Sequence, residues 1–540
     1  MASFDRSGQS LSGTSQLSNP AQPTGCDGHN DADVSLPVNS IAKIRTSTAR
    51  QSAWNYLVFA ISKSSTLLMT VVLARLLEPA EFGLFALALL LVNLFDYVKD
   101  LGVVAALVQS DRDWKRIAPT GFTLSIVFGV ATGAALAATA SISSAMLGHP
   151  ELAGLIRVLA IALVISSLSA IPLARLRRDL SFHSRLFPEF CGAVAKTALT
   201  IGLAATGHGV WSLVYGQLAA VAITAALYWR AAPAMGRPGF DAAEARQLIR
   251  FGMPVTGVTL LAFAIYNVDY LAIGTRLGTT ELGLYTLAYR IPELLVLNLC
   301  IVISEVLFSS LSRLQHDRAQ LAAHYRQTLV VVMALTAPIG VGLAAVSGPL
   351  VSTLYGTEYE GAATMLAILA AYTVVYSASF HAGDVYKAVG RPGLLTAINA
   401  AKLLVLVGPV WWAAGHGATL VATAILGVET VHLALRLALV RRLVPLRATD
   451  LLSAIARPVA AAVPMGLALV GLDAAMAGEP APLRLGVLIA LGPAIYLLAL
   501  RFTAPQLTRE ALRLVKARTE RLRHTQTAPQ AGRQEPHSKG

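Results

Sequence analysis

Long apolar stretches separated by short polar connections run through the chain from about residue 50 to residue 502. About fourteen of them have the roughly 20-residue length that an α-helix needs to cross a bilayer. The predicted spans are 52–74, 82–109, 118–140, 156–174, 191–206, 209–229, 248–274, 283–309, 325–346, 362–383, 394–413, 417–440, 453–473 and 484–502, of which 191–206 is short for a span. The polar connections alternate in charge. Those after the even-numbered runs hold Arg112, Lys115 and Arg116, then Arg175, Arg177, Arg178 and Arg185, and later Lys387, Arg391, Arg441 and Arg442. The stretches Ser141 to Gly154, Thr206 to Gly209, Ser347 to Gly361 and Ala414 to Gly417 contain no lysine or arginine. Because basic loops stay on the cytoplasmic side, the first set is expected inside, and an even number of helices then puts both termini in the cytoplasm.

The apolar pattern also repeats. Glu81-Phe82-Gly83-Leu84-Phe85-Ala86-Leu87-Ala88 returns as Glu281-Leu282-Gly283-Leu284-Tyr285-Thr286-Leu287-Ala288, each copy preceded by an arginine, Arg75 and Arg276. A second echo follows in the same order, Gly207-His208-Gly209 and Gly415-His416-Gly417. Six helices per copy give both halves the same sense in the membrane, so the duplication is parallel, with its pseudo-twofold axis along the membrane normal. The expected fold is therefore an all-α integral membrane protein. Residues 46–232 and 246–442 form two parallel six-helix lobes, and helices 13 and 14 (450–502) stand outside the repeat. Duplicated membrane proteins of this kind are typically transporters, since a site between two similar halves opens to either side when they rock.

Composition adds little beyond agreement. Hydrophobic residues are 55% of the chain, charged residues 14%, and the mean hydropathy is +0.61. The net charge of +13 lies in short loops and in the last segment, which is membrane topology and not a nucleic-acid surface. Cys26, Cys191 and Cys300 have no paired spacing, so neither a disulfide framework nor a metal site is expected. Residues 1–45, rich in Ser, Gly, Asn, Asp and Pro, are expected to be a disordered cytoplasmic tail. The cytoplasmic tail 505–540 carries a basic helical segment, Leu507 to His524, suited to anionic membrane lipids.

Ionisable side chains inside membrane helices are costly and are tolerated chiefly where they face a bundle interior or a watery cavity. The first run places Asn55, Ser62, Lys63, Thr66 and Thr70 on one face; the second places Asn93, Asp96, Tyr97 and Asp100 on one face, with Lys99 beside them. Lys196 and Thr197 lie in the fifth run. The seventh carries Thr256, Thr259, Tyr266 and Asp269, and the eighth Thr286, Tyr289, Arg290 and Glu293. His381, Asp384, Lys402 and Glu429 follow in or beside the tenth to twelfth. Candidate substrate-binding cations are Lys63, Lys99, Arg290 and Lys402; candidate charge partners or coupling-ion ligands are Asp96, Asp100, Asp269 and Glu293. The structural alternative pairs Lys63, Lys99 and Arg290 with Asp96, Asp100 and Glu293, and lets Lys196 and Lys402 snorkel to the headgroups. The number of charges in both halves favours a cavity, and fixed cations suit a phosphate-bearing substrate.

At Ala74-Arg75-Leu76-Leu77-Glu78-Pro79-Ala80-Glu81-Phe82-Gly83-Leu84-Phe85, with Asp100-Leu101-Gly102-Val103, the chain resembles bacterial polysaccharide flippases. Gly209-Val210-Trp211-Ser212-Leu213-Val214, Asp269-Tyr270-Leu271-Ala272-Ile273-Gly274 and Lys387-Ala388-Val389-Gly390-Arg391-Pro392 extend the resemblance over about residues 45 to 500. These proteins are the lipid-linked oligosaccharide exporters of the multidrug/oligosaccharidyl-lipid/polysaccharide exporter superfamily. The resemblance implies a V of two lobes around a central cavity that opens alternately to cytoplasm and periplasm. It implies an undecaprenyl-pyrophosphate-linked repeat unit as substrate, moved across the cytoplasmic (inner) membrane for exopolysaccharide, capsule or O-antigen assembly. A polysaccharide polymerase and a chain-length regulator are its expected partners. Lys63 and Arg290 would carry the head group. Asp96, Asp269 and Glu293 would either hold those cations or bind a coupling proton or sodium ion, and both roles stay open.

Two other functions compete. A peptidoglycan-precursor or multidrug exporter of the same superfamily would keep the fold and change the cargo. A membrane glycan polymerase would need a large outer loop rich in charged residues, whereas Ser347 to Gly361 and Asp473 to Leu483 are short and poor in cations. No nucleophile constellation, nucleotide loop or metal motif is found, so the chain is expected to be a non-enzyme without a cofactor.

Overall fold

The structure, a computed structural model, describes residues 65–179, 182–232 and 238–503. The tails at 1–45 and 505–540, and most of the first run with Asn55, Ser62 and Lys63, lie outside the described residues. The first lobe comprises α1 (65–73), α2 (Pro79–Asp100), α3 (Val103–Gln109), α4 (Trp114–Leu147), α5 (Leu152–Leu168), α6 (Ala170–Arg178), α7 (Phe182–Ala205) and α8 (Val210–Ala231). The second comprises α9 (Ala242–Arg276), α10 (Thr279–Pro292), a π-helical turn (Glu293–Leu297), α11 (Asn298–Arg313), α12 (Arg318–Ala345), α13 (Ser347–Leu354), α14 (Ala362–Phe380), α15 (Ala382–Ala388), α16 (Pro392–Ala413) and α17 (Ala418–Leu443). A last pair, α18 (Ala448–Ala475) and α19 (Ala481–Thr503), packs on α12 and α13.

Among the described residues there is no strand. Twelve helical stretches among the described residues are long and apolar enough to cross a membrane, thirteen if α5 and α6, bent by 43° at their junction, count as one span. The helices fall where the apolar runs predict them, with two differences. The short run at 191–206 belongs to a longer helix that reaches back to Phe182, through an Arg185–Glu189 pair at 3.0 Å. The run 82–109 is not one helix, because Leu101 and Gly102 take left-handed backbone angles, φ 38° and 68°, between α2 and α3. At this break the chain lies against α9, and a Cβ on Gly102 would sit 2.5 Å from the Gly252 Cα.

The lobes meet along one seam, made by α2, α3 and α4 on one side and α9 and α10 on the other. At one end the two copies of the Glu-x-Gly motif face each other. A Cβ on Gly83 would lie 1.8 Å from the Thr279 carbonyl oxygen, and a Cβ on Gly283 would lie 1.8 Å from the Pro79 carbonyl oxygen. Each contact is the other shifted by two hundred residues, the reciprocity that a twofold axis imposes. The glycines are required because no side chain fits between backbones this close. Glu81 has a local task, accepting from the Glu78 N–H at 3.0 Å to cap α2.

Around this contact the symmetry is broken by a latch. Arg75 reaches from the first lobe to the carbonyl end of α13, donating to Thr353 O at 2.5 Å and to Ser352 O and Leu354 O at 3.3 Å. A cation there satisfies carbonyls that a helix end leaves open. Its counterpart Arg276 stays in its own lobe, 4.9 Å over the Trp411 ring. The Tyr359 hydroxyl donates to Leu77 O at 2.6 Å, and Tyr355 lies beside it. Burial raises both hydroxyls above the usual tyrosine range, so they remain protonated donors. At the opposite, arginine-rich end, Arg112 and Arg116 clasp Glu244 of α9 at 2.6 and 3.1 Å.

Gly83→Val places its branches inside the Thr279 peptide and is expected to lower stability by about 1–3 kcal/mol or more, as overpacking does. Gly202→Ala, where a Cβ meets nothing within 4 Å, is expected to be neutral or stabilising by about 0.5–1 kcal/mol. Thermal unfolding of the two purified variants checks this; equal midpoints would contradict the close seam.

Candidate functional site

The interior charges separate into three places. Lys99 is buried between α2 and α5, donating to Asp96 Oδ1 at 2.5 Å and to Ser166 Oγ at 2.6 Å. Asp100 ends α2 at the arginine-rich end of the seam. This first group holds the first lobe together, and its three-residue spacing on α2 brings Asp96 and Lys99 onto one side.

The second place is in the interior of a long apolar span beside the seam. Arg290 and Glu293 are 3.2 Å apart, with side chains 32% and 41% exposed. Pro292 follows Arg290, and the helix then opens into the π-helical turn Glu293–Leu297. Asn298 fills the loosened ladder by donating to Glu293 O and Leu294 O at 3.3 and 3.2 Å. Such turns are rare and concentrate at functional sites. Lys196 of α7 donates from its ammonium to Gln217 Oε1 at 2.7 Å. The pair Arg290–Glu293 is only partly buried, and to the extent that it meets water it contributes about 0–1 kcal/mol.

The third place is the interior of the second lobe. Lys402 does not snorkel: it is buried and pairs with Glu429, which is wholly buried and also accepts from Ser379 Oγ at 2.6 Å. The pairing explains the difference, because a buried carboxylate on α17 outweighs the reach to distant headgroups. The Lys196 contact with Gln217 likewise keeps that side chain in the protein. Asp384 is buried and gathers Ser304, His381 and Lys387. Asp269 accepts from the Tyr285 hydroxyl at 2.6 Å, while its second oxygen is buried without a partner.

Two features escaped the sequence reading. A run of tyrosines, Tyr270, Tyr285, Tyr289, Tyr372 and Tyr376, of which the sequence pointed only to Tyr289, packs ring against ring from α9 through α10 to α14. The four-residue spacings of Tyr285 with Tyr289 and of Tyr372 with Tyr376 were its signal. Arg436 also lies inside, on the face of α17 that carries Glu429 and His432. Spacings of three and four residues mark that face. Among the described residues, no group of three or more His, Cys, Asp or Glu side chains is placed to hold a metal ion.

Comparison with known proteins gives the chain's relatives. A family described as polysaccharide biosynthesis protein matches residues 72–364. The chain is 24% identical over 366 residues to the lipopolysaccharide biosynthesis protein WzxC of Escherichia coli, covering 67% of this chain and 74% of that protein. It is 24% identical over 425 residues to the teichuronic acid biosynthesis protein TuaB of Bacillus subtilis, covering 77% and 87%. Its fold is similar to a lipid II flippase, MurJ, in an inward closed conformation, with a TM-score of 0.70, 14% identity, and coverage of 84% of this chain and 99% of that one.

Arg290→Ala is expected to reduce export by roughly 10- to 100-fold at normal membrane abundance, the loss of one charge-assisted contact of about 1.5–3 kcal/mol. Arg290→Lys should keep part of the activity, since the charge survives while the bidentate geometry is lost. The double change Arg290→Gln, Glu293→Gln should remain inactive. Export per unit of folded protein is the readout, and recovery in the double variant would reduce Arg290 to a partner of Glu293.

Proposed function

The chain belongs to the polysaccharide biosynthesis protein family, and from that premise we propose that it flips undecaprenyl-pyrophosphate-linked oligosaccharide repeat units across the cytoplasmic membrane. A sugar block and a charged pyrophosphate cannot enter hydrocarbon unaided. The observation that supports the reading is the placement of Arg290, about one-third exposed, in the interior of a long apolar span beside the joint between two similar lobes. There a phosphate can be held while the polyprenyl tail stays in lipid.

In this reading the arginine-rich end, with Arg112, Arg116 and Arg391, faces the cytoplasm, and both termini lie inside. The Glu-x-Gly end then faces the periplasm. Alternating access requires the seam there to part, releasing the Arg75 latch on α13. Asp269, with one buried oxygen free, is the favoured ligand for a coupling proton or sodium ion. Transport needs no catalytic group, and a polymerase and a chain-length regulator would receive the product. The names of WzxC and TuaB, each a polysaccharide pathway protein, support this cargo class. The likeness to a lipid II flippase supports a second reading, export of a peptidoglycan precursor, but it is a likeness of fold, whereas the family match follows polysaccharide.

Deleting the gene is expected to remove surface polysaccharide and to leave lipid-linked repeat units on the inner leaflet. Extraction of polyprenyl-linked sugars, with leaflet assignment by an impermeant label, measures both. Unchanged surface polysaccharide in a strain with no second flippase would overturn the proposal, and accumulation of lipid II in its place would establish the second reading.

A further inference from the structure

Between α9, α14, α15, α16 and α17 lies a cavity of about 120 Å³, with room for several waters or a small oxyanion. Arg436 lines it and is only 7% exposed. Its guanidinium donates to Ser379 O at 3.1 Å and to Asn399 Oδ1 at 2.8 Å, and its Nε–H has no partner. A buried guanidinium is normally held by a carboxylate, because neutral partners leave its charge uncompensated. Here the two acids nearby are already engaged. Glu429 is taken by Lys402, Ser379 and His432, and Asp384 by His381, Ser304 and Lys387.

The rest of the lining has the same bias. Lys387 and Lys402 also line the cavity, each already paired with a carboxylate, Asp384 and Glu429, so the charge left over is that of Arg436. Asn399 turns its oxygen to Arg436 and so keeps its amide hydrogens for another acceptor. The Tyr266 and Tyr376 hydroxyls share one hydrogen bond at 2.5 Å, which leaves one of their two hydrogens to donate elsewhere. The cavity therefore offers donors on several sides, and its rim includes the exposed side chains of Tyr266 and Lys387.

We propose that this cavity is an oxyanion site, built on the uncompensated charge of Arg436, for a phosphate or pyrophosphate group. It is separate from Arg290 and is argued from the second lobe alone, so it stands whether or not the cargo is the one proposed above. The phosphate belongs either to a polyprenyl headgroup or to a free cytoplasmic anion, and the test distinguishes them.

The full-length protein in detergent micelles is titrated with radiolabelled inorganic pyrophosphate by equilibrium dialysis, at constant ionic strength in chloride. Saturable binding at one site is expected, weakened about tenfold or more in Arg436→Gln, which removes the charge, and less in Arg436→Lys. Asn399→Asp is the second variant. It supplies a carboxylate to Arg436 from within, so it should raise the unfolding midpoint of the anion-free protein and abolish pyrophosphate binding. Undecaprenyl pyrophosphate in nanodiscs that displaces the label assigns the site to a lipid headgroup; failure to displace it assigns the site to the free anion. Absence of saturable binding in the unaltered protein, or unchanged affinity in both Arg436→Gln and Asn399→Asp, would overturn the proposal.

Discussion

Two backbones touch where the halves of this protein meet, and most of the architecture follows from that contact. Gly83 lies against the Thr279 carbonyl and Gly283 against the Pro79 carbonyl, with no space for a side chain at either glycine. Inside a membrane, helix association cannot rely on expelling water, so close approach through small residues supplies the attraction. The reciprocal geometry fixes a twofold relation between the lobes. Everything that departs from it, above all Arg75 crossing to α13 while Arg276 stays over Trp411, distinguishes the two halves functionally.

The charges obey a second constraint, that an ion inside the bilayer needs a partner or a wet space. Lys99 with Asp96 and Lys402 with Glu429 take the first course and stiffen each lobe. Arg290 is paired with Glu293 but less buried than either of these, on a helix loosened by Pro292 and the π-helical turn. Arg436 has neither a carboxylate nor an exposed position, and this is why the second-lobe cavity reads as a site for an anion.

Much of the fold was legible because length and apolarity nearly determine a membrane helix. The repeat of Glu81 to Ala88 at Glu281 to Ala288 gave the duplication, although it could not say that the two copies face each other. The break at Leu101–Gly102 was hidden inside an apolar run, since nothing in hydropathy records a left-handed backbone or the approach of Gly252. The pairing of Arg290 with Glu293 followed from three-residue spacing. The pairing of Lys402 with Glu429 did not, because it joins α16 to α17 and depends on how those helices rotate. Tyr270, Tyr285, Tyr372, Tyr376 and Arg436 gave no such signal for a related reason: an aromatic or a single arginine in a membrane run carries no sign of which way it points.

In the proposed transport cycle the seam between the duplicated motifs is the closure that parts. Spin labels on cysteines replacing Met146 of the first lobe and Trp412 of the second, exposed positions at the Glu-x-Gly end, report its width by pulsed electron resonance. In liposomes supplied with a lipid-linked oligosaccharide, a second, longer distance should join the resting one and disappear when substrate is omitted. A single unchanging distance in protein that still transports would contradict the account.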